Sequence, residues 1–251
     1  MRSRSSTDAQ DDGVVARAEV YTSFSPHRGG IPPAGAPVEI PSTPALTSEA
    51  VESLAAQSGP TSTVSLVAGG ITINLLFDAA AMAAPASFRA GIQAAASLLT
   101  AAISDPITVN IKIDYSGTGG GAAAGPDGGL YESYSTVKAQ LINNATPGDA
   151  TFNALPAGSS IQGQTNVAVW NAQLKLWGVL GANDTTTDDG SATFATDINP
   201  NLLVGVALHE LTHAMGRVPY GPAPDILDLF RFTSPGVHLF SGADTAPAAY
   251  F

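Results

Sequence analysis

The chain has 251 residues, with 21 acidic against 10 basic side chains and a formal net charge of −11. That balance repels a phosphate backbone, so neither nucleic acid nor an anionic membrane surface is an expected partner. No cysteine is present, which excludes disulfides and a thiol nucleophile, and no apolar run reaches the ~18 residues of a membrane-spanning helix.

Residues 1 to 46 are rich in Ser, Gly and Asp, with Pro26, Pro32, Pro33, Pro37, Pro41 and Pro44 closely spaced. Such composition buries too little to order itself, which predicts a flexible arm or a pro-segment, with His27 solvated. Basic residues at the N-terminus have no apolar core behind them, so no signal peptide is recognisable. Residues 47 to 251 are expected to form one domain, opening on a short helix from Thr47 to Ser58 that Gly59-Pro60 ends. Thr63 to Val67 and Ile71 to Phe77 flank Ala68-Gly69-Gly70, a hairpin pattern in which glycine would supply positive φ. Pro85 opens a helix with Phe88, Ile92, Ala95, Leu99 and Ile103 on one face, closed by Asp105-Pro106. From Ile107 to Tyr115 the apolar period becomes two, as in a half-buried strand; on a sheet edge, such a strand would pair an extended peptide.

Ser116 to Gly129 contains seven glycines. It lacks a P-loop lysine and a following helix start, so a mobile surface loop is expected rather than a phosphate cradle. Ser135 to Ile142 reads as a helix, Thr151 to Leu155 as a turn and Asn166 to Val169 as a strand. A helix from Trp170 to Leu180, capped by Gly181, would put Trp170 and Trp177 on one core-facing side. Asp184, Asp188 and Asp189 crowd the next loop; oxygen-rich loops can hold Ca²⁺, but this spacing lacks EF-hand alternation and favours a solvated acidic loop. Ser191 to Thr196 reads as a further strand.

The chemistry concentrates at Val206-Ala207-Leu208-His209-Glu210-Leu211-Thr212-His213-Ala214-Met215-Gly216. On a helix, His209 and His213 share one face and can offer two imidazole nitrogens to one metal ion, while Glu210 stands beside it as a base for an activated water. Gly216 can take the φ > 0 that ends the helix. A catalytic zinc needs a third protein ligand. No glutamate follows Glu210, and Pro219 occupies the position of a metzincin third histidine. This leaves Asp225, Asp228, His238 and Asp244. The turn at Gly216 and Pro219-Tyr220-Gly221-Pro222 favours the two nearer aspartates on steric grounds. Tyr220 could donate to an oxyanion, and Arg231 could orient a ligand carboxylate or make an ordinary surface ion pair.

His-Glu-Leu-Thr-His-Ala-Met-Gly-Arg at 209 to 217, with Leu227-Asp228-Leu229-Phe230-Arg231 downstream, resembles a bacterial family classed as metalloproteases of the matrixin-like, zincin type. Weaker likeness extends upstream to Ile71, through Val109-Asn110-Ile111 and Ala172-Gln173-Leu174-Lys175. The resemblance implies an α+β zincin-like domain, a twisted mixed sheet packed on two long helices, one bearing the metal motif. It also implies Asp228 as third zinc ligand with Asp225 in reserve, a strand from Ser191 to Thr196 over the cleft, and a secreted or cell-surface enzyme acting on protein or peptide. No metzincin-type methionine turn is visible, since no methionine follows Met215. The apolar ending Ala248-Ala249-Tyr250-Phe251 suggests a larger parent. The competing expectation is a non-catalytic exported binding or surface module on the same scaffold, and a third is a zymogen whose first 46 residues fill the cleft.

Overall fold

The computed structural model describes residues 62–218, 223–238 and 240. The proposed arm, the Thr47 to Ser58 helix, His27, Tyr220 and Asp244 lie outside the described residues. The fold is mixed α+β, built on a five-stranded mixed sheet. Strands β1 (Ser62–Val67) and β2 (Thr72–Phe77) form an antiparallel hairpin. After helices α1 (Ala79–Ala83) and α2 (Ala86–Ala102), strand β3 (Thr108–Tyr115) returns parallel to β2. The sheet order is completed by β7 (Gly190–Phe194), parallel to β3, and β4 (Ala122–Pro126), antiparallel to β7 at the far edge.

The hairpin forms where the pattern predicts it, for a different reason. Neither Gly69 nor Gly70 has positive φ. A Cβ at Gly70 would instead stand 2.0 Å from the Ser104 carbonyl oxygen, and Gly69 N donates to Thr100 O at 2.8 Å. Glycine is needed here for close approach of the turn to the end of α2.

The alternation of β2 and β3 sets the layers. Ile73, Leu75 and Phe77 pair in register with Val109, Ile111 and Ile113, and these fully buried side chains join Phe88, Ile92 and Ala95 of α2 in one core. Helix α5 (Leu203–Ala214) adds Leu203, Ala207, Leu211 and Ala214 to the same cluster, so α2 and α5 lie side by side on one sheet face. Each fully buried Leu contributes about 1.5–3 kcal/mol by leaving water.

The opposite face is polar, and it is not solvated as alternation suggests. Asn110 is buried: its side chain accepts from Asn74 Nδ2 at 2.8 Å, and its backbone N donates to Asp189 Oδ2 at 2.7 Å. Asp189 in turn holds Lys175 Nζ at 2.6 Å, with both side chains fully buried. The lysine, from helix α4 (Asn171–Leu176), also donates to Thr108 O and Asp184 O. The expectation of a solvated acidic loop is therefore corrected at Asp189. Asp188 meets Lys112 at the surface and Asp184 accepts from Thr187 and Thr186, so each of the three carboxylates has its own partners.

One further reading changes, and one strand finds its place in the sheet. The glycine-rich segment, expected as a mobile loop, supplies edge strand β4 and is tied down by Asp197, which accepts from Gly119 N and Gly120 N. The segment Ser191 to Thr196, expected as a strand over the cleft, supplies most of β7, an interior strand that β3 and β4 flank.

A second layer carries strands β5 (Gly129–Ser133) and β6 (Asn166–Trp170), antiparallel to each other, with helix α3 (Tyr134–Asn143). Trp170 ends β6 instead of starting a helix, and α4 stops at Leu176 with Gly178 at φ +70°, earlier than the expected Gly181. The two tryptophans consequently occupy different clusters: Trp170 packs with Tyr131, Ala168 and Ala223, and Trp177 against the cluster of Tyr134, Val137 and Leu174.

Candidate metal centre

Helix α5 ends in a Schellman motif. Gly216 at φ +106° donates its N–H to His213 O at 2.9 Å, and Arg217 N reaches Thr212 O at 3.0 Å. A Cβ at Gly216 would lie 2.5 Å from Trp170 Cδ1, so the turn needs glycine for space as well as for φ. The consequence is that the residue after the glycine folds back over the last helical turn.

That turn carries the motif. His209 is exposed, Glu210 is 2% exposed and His213 is 6% exposed. The two Nε2 atoms stand 2.8 Å apart with the rings edge to face. Two nitrogens ~2.0–2.1 Å from one tetrahedral ion would be about 3.3 Å apart, so a small opening of the pair accommodates it. The Nδ1 of His213 is hydrogen-bonded to Arg217 O. As the carbonyl can only accept, Nδ1 carries the proton and Nε2 keeps its lone pair, the state a metal ligand requires. Arg217 also donates through Nε to Thr212 Oγ1 at 2.8 Å, while its Nη2 stands 3.2 Å from His209 Nδ1 and 3.3 Å from His209 O.

The downstream carboxylates form a separate corner. Beyond the segment that is not described, Pro224 O accepts from Ala168 N at 2.7 Å and Asp225 makes an isolated parallel bridge to Ala168, which ties the chain to β6. Asp225 Oδ1 accepts from Asp228 N and Asp228 Oδ2 from Asp225 N, both at 3.0 Å. Asp228 Oδ1 meets Arg231 Nη2 at 2.7 Å. Burial, then the neighbouring Asp228 charge, pushes the Asp225 carboxyl up to about 8, and burial raises Asp228 to about 6 against the opposing backbone hydrogen bond and Arg231. His238 lies elsewhere, with Nδ1 2.8 Å from Gln162 Oε1. Among the described residues, no group of three or more His, Cys, Asp or Glu gathers at one point. The structure brings His209 and His213 together and holds Asp225, Asp228 and Arg231 as their own cluster.

Edge strand β4 packs against α5, and β3, the strand considered for peptide pairing, is interior. An apolar recess of about 170 Å³, lined by Ile71, Ile103, Ile107, Leu176 and Met215 among others, includes neither histidine in its lining. Arg217 was not singled out from the sequence. The signal that points to it is the Gly-Arg pair closing the helix, since glycine at that position aims the next residue back at the last turn.

No protein family, curated protein or solved structure matches the chain. The functional reading therefore rests on the residues themselves.

Proposed function

We propose that the chain is a zinc-dependent endopeptidase that hydrolyses peptide bonds with Glu210 as general base. The observation that carries this reading is the pair of imidazoles on α5, with Nε2 atoms 2.8 Å apart and the His213 proton held on Nδ1 by Arg217 O. This donor chemistry suits a borderline-soft divalent ion. His209 and His213 would hold it, with Asp228 as third protein donor and Asp225 in reserve, as the family resemblance implies. To serve, Asp228 has to exchange its contacts with Arg231 and Asp225 N for the ion. When bound, zinc supplies Lewis acidity toward a carbonyl and lowers the pKa of water.

The remaining steps belong to the chain. Glu210 accepts the proton of the attacking water and delivers it to the leaving amine. The edge of β4 not bonded to β7 offers backbone groups to an extended peptide beside the metal helix, and a secreted or cell-surface setting would supply such substrates. Among the described residues no helix is long and apolar enough to cross a membrane.

A second reading is favoured by one observation: both Asp228 oxygens already have partners, Oδ2 in Asp225 N and Oδ1 in Arg231 Nη2. In that reading the chain is a non-catalytic binding module. Elemental analysis of protein purified without chelator or histidine tag separates the two. About one zinc per chain, lost in His213→Ala, with peptidase activity abolished in Glu210→Ala while zinc is retained, supports the enzyme; a fully active Glu210→Ala protein excludes it. Zinc absent even after addition at neutral pH favours the module.

A further inference from the structure

We propose that Arg217 is a positioning residue that sets the proton arrangement of the histidine pair and competes with the metal for it. This rests on the metallopeptidase reading of His209 and His213. Arg217 touches both rings through different groups: its carbonyl accepts from His213 Nδ1, and its guanidinium Nη2 stands 3.2 Å from His209 Nδ1. A guanidinium has only donors. The His209 nitrogen facing it therefore presents a lone pair, and in the neutral ring the proton sits on Nε2, aimed at the His213 Nε2 lone pair 2.8 Å away. This tautomer joins the two rings by an Nε2–H to Nε2 hydrogen bond.

An ion ligated by both Nε2 atoms needs the opposite tautomer at His209, with the proton on Nδ1, where the guanidinium stands. The guanidinium must then withdraw to the two acceptors it already reaches, His209 O at 3.3 Å and Thr212 Oγ1 at 2.8 Å. Thr212 Oγ1 is itself anchored by donating to His209 O. The side chain thus has a place to go within one helical turn, and metal entry costs one charge-assisted hydrogen bond to His209 plus the approach of like charges. A residue that merely supported the helix would weaken metal binding when removed. Arg217 is expected to do the reverse.

The test uses the full chain with Arg217→Met, which keeps the bulk, and Arg217→Lys, which keeps the donor and charge. Long-range proton–nitrogen NMR correlations of the metal-free protein should show His209 protonated at Nε2 in the wild type and in Arg217→Lys, shifting toward Nδ1–H in Arg217→Met. Zinc affinity, measured by competition with a chromophoric chelator, should tighten about tenfold in Arg217→Met and change little in Arg217→Lys. Wild-type His209 already protonated at Nδ1, or zinc binding in Arg217→Met no tighter than wild type, overturns the proposal. Zinc bound by none of the three chains overturns the metallopeptidase reading and the competition with it. In that case, the NMR comparison still shows whether Arg217 sets the tautomer.

Discussion

Two buried carboxylate systems contact the second layer, one through Lys175 of α4 and the other through Ala168 of β6, and they solve the same problem in opposite ways. Asp189 faces a cation: Lys175 reaches it at 2.6 Å and the Asn110 amide at 2.7 Å, so the loop before β7 is stapled to β3 and α4. Asp225 faces another acid, Asp228, across two reciprocal backbone hydrogen bonds, with one guanidinium serving the pair. Among the described residues each system leaves one carboxylate oxygen without a hydrogen-bond partner, Asp189 Oδ1 and Asp225 Oδ2, so the difference between them lies in the charge each acid faces. The first arrangement is held by charge compensation. The second is short of positive charge, and a proton or a cation would relieve it.

The strongest way to break this contrast is Lys175→Met. It leaves Asp189 buried without its cation and should cost about 3–5 kcal/mol in urea denaturation, with Lys175→Met/Asp189→Asn recovering at least half. A double variant as unstable as the single one would mean that the lysine stem, not the charge, holds the loop.

Next in size is the pH response of the acid pair in metal-free protein. Both folded carboxyls have raised pKa values, to about 8 and about 6, so the unfolded chain ionises first as pH rises. Their contribution to stability is full below pH ~4 and is lost as pH rises through the folded values. Lowering the pH from 8 to 5 should stabilise the wild type by several kcal/mol, and Asp225→Asn should remove most of that gain. An Asp225→Asn protein with an unchanged pH profile would locate the response elsewhere.

Arg231→Met should destabilise by about 1–2 kcal/mol at pH 8 and by less at pH 5, where protonation replaces the lost guanidinium. Equal losses at both pH values would show that Arg231 acts through packing. Asp188→Ala supplies the smallest effect. Its partner Lys112 is half exposed, as it is, so thermal unfolding should report a change within about 0.5 kcal/mol. A larger loss would mean that the outer acidic residue shares the inner staple.

Much of the first core was legible in the chain because its signals are local. Phe88, Ile92, Ala95 and Leu99 recur at helical spacing, and all four are buried on α2. The metal motif was legible for the same reason: four residues of helix place His209 and His213 on one face whatever surrounds them, and Gly216 closes that helix as expected. What failed depended on distant partners. Gly119-Gly120-Gly121 resembles a loop until Asp197 and β7, some seventy residues later, provide hydrogen bonds for the strand that follows. Asp189 resembles its solvated neighbours until Lys175 is seen beneath it. Arg217 carries no periodic signal at all, because its position over the histidines follows from the backbone turn.

The sequence by itself determined the helix that bears His209, Glu210 and His213, the glycine that stops it, and the hydrophobic faces of α2, β2 and β3, since each follows from spacing within a few residues. Only the tertiary structure decided which strand is the edge, which aspartates are buried, and that Asp228 stands with Asp225 and Arg231 while the histidines stand with Arg217. Those outcomes depend on pairing and desolvation between segments tens of residues apart, where one charge is buried only because another segment brings its partner.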